Sequence, residues 1–234
     1  MPAYLETESI KQLILDFVNE GFAFKITFYI VDDSYDQRSA KSVMSICNDI
    51  DTSGFEFVYI SNNIKKGRGY AVRQGMASAL SNQKHEVIVE MDSDGSHTVT
   101  AFKKVIENIG GADLVIGSRY LPLSKIENWP LLRKVFSFWL NRILRIIFKI
   151  SIFDYTNGLR AYSRQASQII VSNPQQMTGF IYLTEELLIL AKKEIYPIEV
   201  PITFINRTKG ESTVTLAEIR SSLRGVYKLR KFYT

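Results

Sequence analysis

Apolar residues in the first half of the chain recur with two periods, one typical of helices and one of strands. Between residues 10 and 18 they fall three and four positions apart, and Gly21 follows as a helix stop. Residues 25–31 are rich in β-branched and aromatic side chains, which indicates a strand. Further helices are predicted at residues 37–50, 70–80 and 99–109, and further strands at 55–60, 87–91 and 113–117. This alternation predicts a parallel sheet flanked by helices.

The pattern changes after residue 119. Trp129-Pro130 marks a break, and residues 131–153 form a long, mainly apolar stretch at helical spacing. One face of this stretch carries Phe138, Arg142, Arg145 and Lys149, and the other carries Phe136, Leu140, Ile143, Leu144 and Ile147. A basic amphipathic helix suits an anionic membrane surface, but a core helix with a solvated basic face explains the spacing equally well.

The rest of the second half mixes short elements. A strand is predicted at residues 159–163, and a helix at 185–193 with Thr184 as its N-cap. Residues 196–205 read as a strand whose two prolines suggest an edge or an irregular course. A basic helix then runs from about residue 215 to 231.

Length and composition indicate one sizeable globular domain spanning residues 1–234. Hydrophobic residues make up 46% and charged residues 23% of the chain, which is ordinary for a globular protein. The single cysteine, Cys47, excludes an intramolecular disulfide and falls on the apolar face of a predicted helix, so we expect a buried thiol. With two histidines and one cysteine, a structural zinc site is not expected. Neither a signal peptide nor a membrane-spanning run is evident, so we expect a cytoplasmic protein.

The positive charge is concentrated in the second half of the chain. Residues 207–234 hold seven basic and two acidic side chains, an excess equal to the whole net charge of +5. Residues 133–153 add five basic and no acidic side chains. The first half of the chain is close to neutral. A nucleic acid is not expected, because basic motifs interleaved with aromatic residues are absent.

Candidate chemistry lies where predicted strands end. Asp92 and Asp94 directly follow the strand at 87–91, and residues two apart on an extended backbone point the same way. Two such carboxylates suit Mg²⁺ or Mn²⁺, although a polar turn after a buried strand explains them equally well. Asp33 and Arg119 follow two other strands, and three polar strand ends at one edge of a sheet make a site. Gly67-x-Gly69 before a helix could bind an anion through its amides or form an ordinary tight turn.

Eight motifs occur in a recognisable order along the chain. They are Pro2-x-Tyr4-x-Glu6, Val31-Asp32-Asp33-Ser34, Gly67-Arg68-Gly69-Tyr70-Ala71, Met91-Asp92-Ser93-Asp94-x-x-His97, Ile116-Gly117-Ser118-Arg119-Tyr120, Trp129-Pro130-x-x-Arg133, Thr156-x-Gly158-x-Arg160-x-Tyr162, and Glu199-Val200-Pro201-Ile202 with Arg207-x-x-Gly210-x-Ser212. The series resembles the family 2 glycosyltransferases, and within them the dolichol- or polyprenyl-phosphate mannosyltransferases.

The resemblance implies an α/β chain with the A-type glycosyltransferase fold, a Rossmann-like, mostly parallel sheet flanked by helices. It implies a nucleotide-sugar donor, with GDP-mannose favoured, a Mg²⁺ or Mn²⁺ cofactor, and a polyprenyl or dolichyl phosphate acceptor. Residues 1–119 would form the nucleotide-sugar half and residues 120–234 the acceptor and membrane-facing half. The protein would then work peripherally on the cytoplasmic face of a membrane, with room for a membrane-protein partner.

The resemblance also assigns roles to individual residues. Those implied around the donor nucleotide are Pro2, Tyr4, Glu6, Asp33, Gly69 and Asp92. The implied metal site comprises Asp92, Asp94 and Ser96. The implied catalytic residues are Asp94, Arg119, Arg133, Arg207 and an assisting Ser137, with the three arginines gripping phosphates. His97 is either part of the site or a structural hydrogen-bonding residue, and Glu186 is expected to support the site from behind it.

A lipid phosphate is already ionised at neutral pH, so no strong general base is required, and we expect inversion by in-line attack. Two alternatives stay open: a saccharide acceptor in cell-surface polysaccharide assembly, and an inactive relative that binds only nucleotide or membrane. Three arginines argue against a saccharide, because a neutral hydroxyl acceptor needs a base rather than cations.

The chain departs from the family at several positions. The apolar strand usual before Pro2-x-Tyr4-x-Glu6 is not found in this sequence, and we expect its absence to leave neighbouring backbone unpaired. Leu5, Ser96 and Thr98 replace residues that are usual in the family.

Overall fold

The described part of the structure comprises residues 1–35, 38–49, 54–206 and 216–233. In this computed structural model those residues form nine β-strands and eight α-helices. The strands are β1 (Pro2–Ala3), β2 (Ile26–Asp32), β3 (Phe55–Ser61), β4 (Val87–Glu90), β5 (Leu114–Ser118), β6 (Lys125–Glu127), β7 (Arg160–Ser163), β8 (Ile198–Pro201) and β9 (Thr203–Ile205). The helices are α1 (Thr7–Glu20), α2 (Arg38–Asp49), α3 (Arg68–Ser81), α4 (Val99–Asn108), α5 (Leu131–Phe148), α6 (Arg164–Ser172), α7 (Tyr182–Ala191) and α8 (Leu216–Tyr233). Strands and helices alternate as far as β5, as the apolar periodicity predicts.

The strands pair in three groups. β1, β2 and β3 form a parallel group, β4, β7, β5 and β8 form a second group in that order, and β6 pairs in parallel with β9. Within the second group β7 runs antiparallel to both neighbours, whereas β5 and β8 are parallel. The predicted mostly parallel architecture is therefore confirmed, with one antiparallel strand inserted between β4 and β5.

A groove separates the first strand group from the second. β1 pairs with β2 through Pro2 with Val31 and Ala3 with Asp32, and among the described strands β4 pairs with β7 alone. The groove, a space of about 370 Å³, is lined by residues 25–29 and 86–91, and no described strand fills it. Within the described residues, β2 and β4 therefore face each other across this groove.

Aromatic packing fixes α1 and α4 on the sheet. The Phe17 ring meets the rings of Phe28 and Phe102 edge-on, at centroid distances of 5.2 and 4.8 Å. These rings belong to an apolar cluster that joins α1, α2 and α4 to β2. The cluster holds the strand ends of the first half in register. The side chain of Cys47, expected in this core, lies outside the side chains that the structure describes.

A second apolar cluster surrounds α7, in which every residue from Tyr182 to Leu190 is buried. A helix that is apolar nearly all round is stable only inside a protein. The prediction that Thr184 is an N-cap is wrong, because α7 begins at Tyr182 and Thr184 lies inside it. Its hydroxyl is buried and has no hydrogen-bond partner among the described residues.

Two boundaries in the second half differ from the sequence prediction. α5 ends at Phe148 rather than at residue 153, because Lys149 adopts a left-handed conformation with φ of 58° and closes the helix. The strand predicted at 196–205 divides at Ile202, whose N–H donates to Ser118 O at 3.1 Å while its carbonyl accepts the N–H of Lys125 at 3.0 Å. β8 therefore pairs in parallel with β5, and β9 pairs in parallel with β6.

Apolar side chains occupy both faces of α5. Leu144 and Phe148 are buried in the second cluster. Ile143, predicted on the same face as Leu144, is instead 47% exposed, and Ile146 is 68% exposed. The interpretation of α5 as a core helix with a solvated basic face is therefore incomplete, because its solvent face is also apolar.

Arg160 is the largest fully buried side chain and ties β7 to α7. Its guanidinium donates to the carbonyl oxygens of Tyr155, Asn157 and Leu183 at 2.7–3.0 Å. Its Nη1 also lies 3.9 Å from Oε2 of Glu186. These contacts satisfy a charge that would otherwise cost several kcal/mol to bury.

Two buried carboxylates share this region with Arg160. The Tyr162 hydroxyl lies 2.8 Å from Glu186 Oε2 and 3.3 Å from Glu90 Oε2, so it bridges α7 to the end of β4. Burial raises the pKa of Glu186 to about 8, repulsion from Glu90 adds to the rise, and Arg160 opposes it. Glu186 thus keeps a proton in the folded protein at neutral pH.

Replacing Glu186 by glutamine should change how stability depends on pH. In the unfolded chain this glutamate ionises near pH 4.5, whereas in the folded protein it holds its proton up to about pH 8. The folded state therefore binds more protons in this window, and its stabilisation by the protonated side chain is lost as pH rises from 4.5 to 8, by up to about 1.4 kcal/mol per pH unit. Urea unfolding at pH 5, 6.5 and 8 should show that the free energy of unfolding falls less steeply with pH in Glu186→Gln than in the wild type. Glu8→Gln, at an exposed position, is the matched control and should keep the wild-type dependence of stability on pH. If Glu186→Gln also kept it, the Glu186 carboxyl would be ionised in the folded protein and the prediction would be wrong.

Candidate functional site

A cleft of about 360 Å³ opens at the carboxyl ends of β2, β4 and β5. Its lining includes Asp33 after β2, Asp92 and Asp94 after β4, and Arg119 after β5. The prediction that three polar strand ends meet at one edge of the sheet is confirmed. Opposite charges therefore face each other across a single cavity.

The first six residues form one wall of the cleft. Pro2, Tyr4 and Glu6 all line it. Ser93, between the two aspartates, holds this wall in place: its hydroxyl lies 2.7 Å from Pro2 O and also hydrogen-bonds the Glu6 carboxylate. The Lys65 ammonium lies 4.3 Å from the centre of the Tyr4 ring. The amino-terminal segment is thus fixed directly to the aspartate turn.

Asp33 organises the glycine loop before α3. Its Oδ2 accepts the N–H groups of Lys66 and Gly67 at 3.0 and 2.9 Å, and its Oδ1 accepts Asn62 Nδ2 at 2.9 Å. The loop amides therefore bind an anion, as one interpretation of Gly67-x-Gly69 predicts, but the anion is a carboxylate of the chain itself. A direct contact between Asp33 and a nucleotide stays a prediction.

Gly69 serves packing in this structure. Its N–H donates to Thr178 O at 2.9 Å, so this amide is not directed at a ligand. A Cβ at Gly69 would lie 2.7 Å from the Tyr182 ring, closer than such carbons approach. Gly69 does not line the cleft, unlike Gly67 and Arg68 beside it. Its placement in the nucleotide site is not supported, because close helix packing accounts for the glycine.

Asp92 is paired with a cation from α3. Arg68 Nη2 lies 2.5 Å from Asp92 Oδ1, and the Asp92 side chain is 17% exposed. Burial alone would raise the pKa of Asp92, but the charges of Arg68, His97 and Arg119 hold it below its usual value. Asp92 is therefore a carboxylate at neutral pH.

The donor set around Asp92 and Asp94 fits a hard divalent ion. Both carboxylates line the cleft together with Ser96, whose N–H donates to Asp94 Oδ1 at 2.9 Å. Within the described residues no group of three or more His, Cys, Asp or Glu side chains could hold a metal. Mg²⁺ is commonly bound by one or two carboxylates together with water and substrate phosphates, so a two-carboxylate site suits an ion that arrives with a phosphate ligand.

His97 is a structural support for the aspartate turn. It is fully buried, its Nδ1 lies 3.3 Å from the Asp92 backbone N, and its Nε2 lies 3.0 Å from Asn157 Oδ1. Its ring packs edge-on against Phe204 at 5.3 Å. His97 thus connects the end of β4 with the turn before β7.

Arg119 is held by a two-pronged ion pair. Its Nε and Nη2 each lie 2.8 Å from a carboxylate oxygen of Asp154, and Nη2 also donates to Thr156 Oγ1 at 2.8 Å. Arg119 is only 8% exposed, yet it borders the cleft. Burial alone would lower the pKa of Arg119, but Asp154 raises it above the usual value. The arginine is therefore a permanently charged wall of the site.

Arg133, on the first turn of α5, and Arg119 both contact the indole ring of Trp129. The guanidinium carbon of Arg133 lies 4.2 Å from the Trp129 ring centre, and that of Arg119 lies 5.2 Å from it. Arg133 Nη1 also donates to Asn206 Oδ1 at 3.1 Å. The negative faces of an aromatic ring attract cations, so Trp129 brings two positive charges to one side of the cleft.

Two predicted residues are not brought into the cleft by the described structure. Arg207 lies outside the described residues, although Asn206 before it lines the cavity. Ser137 accepts the Tyr120 hydroxyl at 2.6 Å and is not among the cleft-lining residues. A role for either in gripping phosphate stays a prediction.

The roles of Asp154, Arg68 and Trp129 are not evident from the sequence alone. The pairing of Asp154 with Arg119 spans 35 positions and has no local signal. Arg68 stood within the glycine motif as a nearby cation, and its contact with Asp92 depends on how α3 packs. A glycine-flanked arginine near a paired-aspartate turn is the only signal that could have indicated this contact.

Comparison with known proteins identifies the family. The model for Glycosyl transferase family 2 matches residues 1–170. Polyprenol monophosphomannose synthase of Mycolicibacterium smegmatis is 29% identical over 225 residues, 95% of this chain and 82% of that protein. Dolichol-phosphate mannosyltransferase of Pyrococcus furiosus is 32% identical over 237 residues, 99% of this chain and 63% of that protein. Undecaprenyl-phosphate mannosyltransferase of Micrococcus luteus is 35% identical over 151 residues, 64% of this chain and 62% of that protein. This chain thus spans a little less than two thirds of the length of the latter two relatives.

Solved structures share the fold. Glucosyl-3-phosphoglycerate synthase of Mycobacterium tuberculosis, in complex with Mn²⁺, UDP-glucose and phosphoglyceric acid, matches with a TM-score of 0.64 at 15% identity, covering 98% of this chain and 78% of that one. The expected A-type glycosyltransferase fold is confirmed. With a family model matched over 170 residues and relatives aligned along nearly its whole length, the chain belongs to glycosyl transferase family 2.

Proposed function

We propose that the protein transfers a mannosyl group from GDP-mannose to the phosphate of a polyprenyl or dolichyl lipid. The observation that carries this proposal is the cleft itself, in which a pair of aspartates faces two guanidinium groups. Such a site can hold a nucleoside diphosphate through a metal and an anionic acceptor through arginines. The names of the three relatives given above, a polyprenol monophosphomannose synthase and two lipid-phosphate mannosyltransferases, support the same substrates.

The donor is proposed to bind on the side formed by residues 1–119. Pro2, Tyr4 and Glu6 would contact the nucleotide, while Asp92, Asp94 and Ser96 would hold Mg²⁺ or Mn²⁺ at the diphosphate. When bound, the metal would supply charge stabilisation to the departing nucleoside diphosphate. Arg68 and the glycine loop complete this wall.

The acceptor is proposed to bind on the side formed by residues 120–234. Arg119 and Arg133 would draw the lipid phosphate towards the sugar carbon, with Arg207 and Ser137 as further contacts. Because the phosphate is already ionised, it can attack in line without a base, and the sugar configuration would invert. The ion pair with Asp154 would keep Arg119 oriented throughout.

The exposed face of α5 supports contact with a membrane. Leu132, Trp139 and Ile146 are 84%, 58% and 68% exposed, and they recur at helical spacing. The described part of α8 adds exposed Leu223 and Tyr227. Among the described helices, none is long and apolar enough to cross a bilayer. An apolar face flanked by basic residues instead suits peripheral binding at an anionic surface.

α5 also links that surface to the cleft. Arg133 lines the cleft, while its neighbour Leu132 projects into solvent. A lipid whose tail stays in the membrane could therefore present its phosphate to Arg133. This continuity favours a lipid phosphate over a free saccharide as the acceptor.

Removing the charge of both aspartates should abolish transfer. With labelled GDP-mannose, Mn²⁺ and dolichyl phosphate, the Asp92→Asn, Asp94→Asn double variant should transfer label into the lipid phase at least about 100-fold more slowly, because it loses the charge that holds the metal. Asp16→Asn, at an exposed position on α1, is the matched control and should keep the wild-type rate. Wild-type rates in the double variant would contradict the proposed site. Transfer from a uridine donor in preference to GDP-mannose would contradict the proposed donor.

Polar substitutions on α5 should weaken membrane binding. The Trp139→Ser, Ile146→Ser double variant removes two exposed apolar side chains, so its partitioning onto anionic phosphatidylglycerol vesicles should fall at least about tenfold in sedimentation assays. Met44→Ser removes a comparably exposed side chain from α2 and should have no effect. The double variant should still act on a short, water-soluble polyprenyl phosphate. Equal vesicle binding by the two variants would show that α5 does not contact the membrane.

A further inference from the structure

Arg68 lies between the two acidic groups at the end of β4. Its Nη2 is 2.5 Å from Asp92 Oδ1 and 3.4 Å from Glu90 Oε1, and its Nε donates to the Tyr182 hydroxyl at 3.1 Å. The Arg68 side chain is only 20% exposed. A flexible surface arginine would not be held from three directions in this way.

The surroundings of Arg68 are shaped to its guanidinium. A Cβ added to Gly158 would lie 1.9 Å from Nη2, so only a glycine leaves room at that position. The rings of Phe180 and Tyr182 lie 5.7 and 5.9 Å from the guanidinium carbon. Burial alone would lower the pKa of Arg68, but Asp92, Tyr182 and Glu90 raise it well above the usual value. The arginine is a built component of the cleft.

The Arg68 contact competes with any cation at the aspartate turn. A divalent ion held by Asp92 and Asp94 needs oxygen atoms of both carboxylates, and one oxygen of Asp92 is already in contact with a guanidinium. At such a short distance the two cations would repel each other strongly in a partly desolvated site. Among the described residues, no third His, Cys, Asp or Glu side chain joins Asp92 and Asp94 as a possible metal ligand.

A nucleoside diphosphate would change this balance. Its phosphate oxygens would bring negative charge to both the metal and the guanidinium, so both cations could remain in the cleft. Metal and nucleotide would then each raise the affinity of the other, which is a reciprocal coupling.

We propose that Arg68 is a positioning residue that occupies Asp92 in the free protein and makes divalent-metal binding depend on the diphosphate. This inference rests on the proposed function, because it concerns the order in which the metal and the nucleotide enter the same site. Its consequence is that the free protein discriminates against a metal ion without its donor. The metal and the nucleoside diphosphate enter together.

Titration with MnCl₂ alone tests the proposal. Mn²⁺ binding is followed by electron paramagnetic resonance for the wild type and for Arg68→Leu, and again at saturating GDP. Arg68→Leu should bind Mn²⁺ alone at least about tenfold more tightly, and GDP should enhance its Mn²⁺ affinity less than it does in the wild type. Lys41→Leu, which removes a charge at an exposed position on α2, is the matched control and should behave as the wild type. Equal Mn²⁺ affinity in Arg68→Leu and Lys41→Leu would overturn the proposal.

Replacing Arg68 leaves the buried Glu90 carboxylate without this cation, which could destabilise the fold. A second variant therefore removes both charges. Arg68→Leu with Glu90→Gln removes both charges and should show the same gain in Mn²⁺ affinity. In the wild type, the Nε–Hε resonance of Arg68 should shift with Mg²⁺ and GDP together but not with Mg²⁺ alone. A shift with Mg²⁺ alone would overturn the proposal. Absence of GDP binding would contradict the proposed donor instead. The Mn²⁺ affinities of the wild type and of Arg68→Leu, measured without GDP, would still decide the role of Arg68.

Discussion

The site depends on the compensation of buried charge. Arg160, Arg119 and Arg68 are each mostly or wholly buried, and each is placed against carbonyl or carboxylate oxygens. Breaking a buried ion pair by removing one partner typically costs about 3–5 kcal/mol, because the other charge is left uncompensated. The ion pairs around the cleft therefore depend on one another, because the loss of one pair would disturb the strand ends that carry the other two.

This compensation divides the charges of the cleft into two groups. The Asp33 carboxylate and the Asp154 carboxylate are used inside the protein, where they fix the glycine loop and the Arg119 guanidinium. Asp92 and Arg133 border the open space and are placed to meet ligands. Sequence motifs do not separate the two groups, since all four residues lie in or near strand ends and turns of the same motif series. Only the contacts in the fold show that Asp33 and Asp154 hold other parts of the protein in place.

α5 gives the second half of the chain two roles. Its first turn carries a cleft arginine that stacks on Trp129, and its solvent face carries large apolar side chains. A helix that were simply part of the core would bury those side chains, and a solvated one would not carry them. The proposed lipid-phosphate acceptor joins both observations, because such a molecule has one anionic end and one apolar end.

The sequence by itself determined the alternation of strands and helices, the meeting of Asp33, Asp92 and Arg119 at one sheet edge, and the family. Local spacing carries that information, since side chains two apart on a strand share a face and parallel strands end at the same edge. Tertiary structure alone decided the antiparallel insertion of β7, the inward position of Thr184 and the partners of Arg68 and Arg119. These features depend on contacts between residues 22 to 114 positions apart or on the packing of whole elements, for which no local periodicity exists.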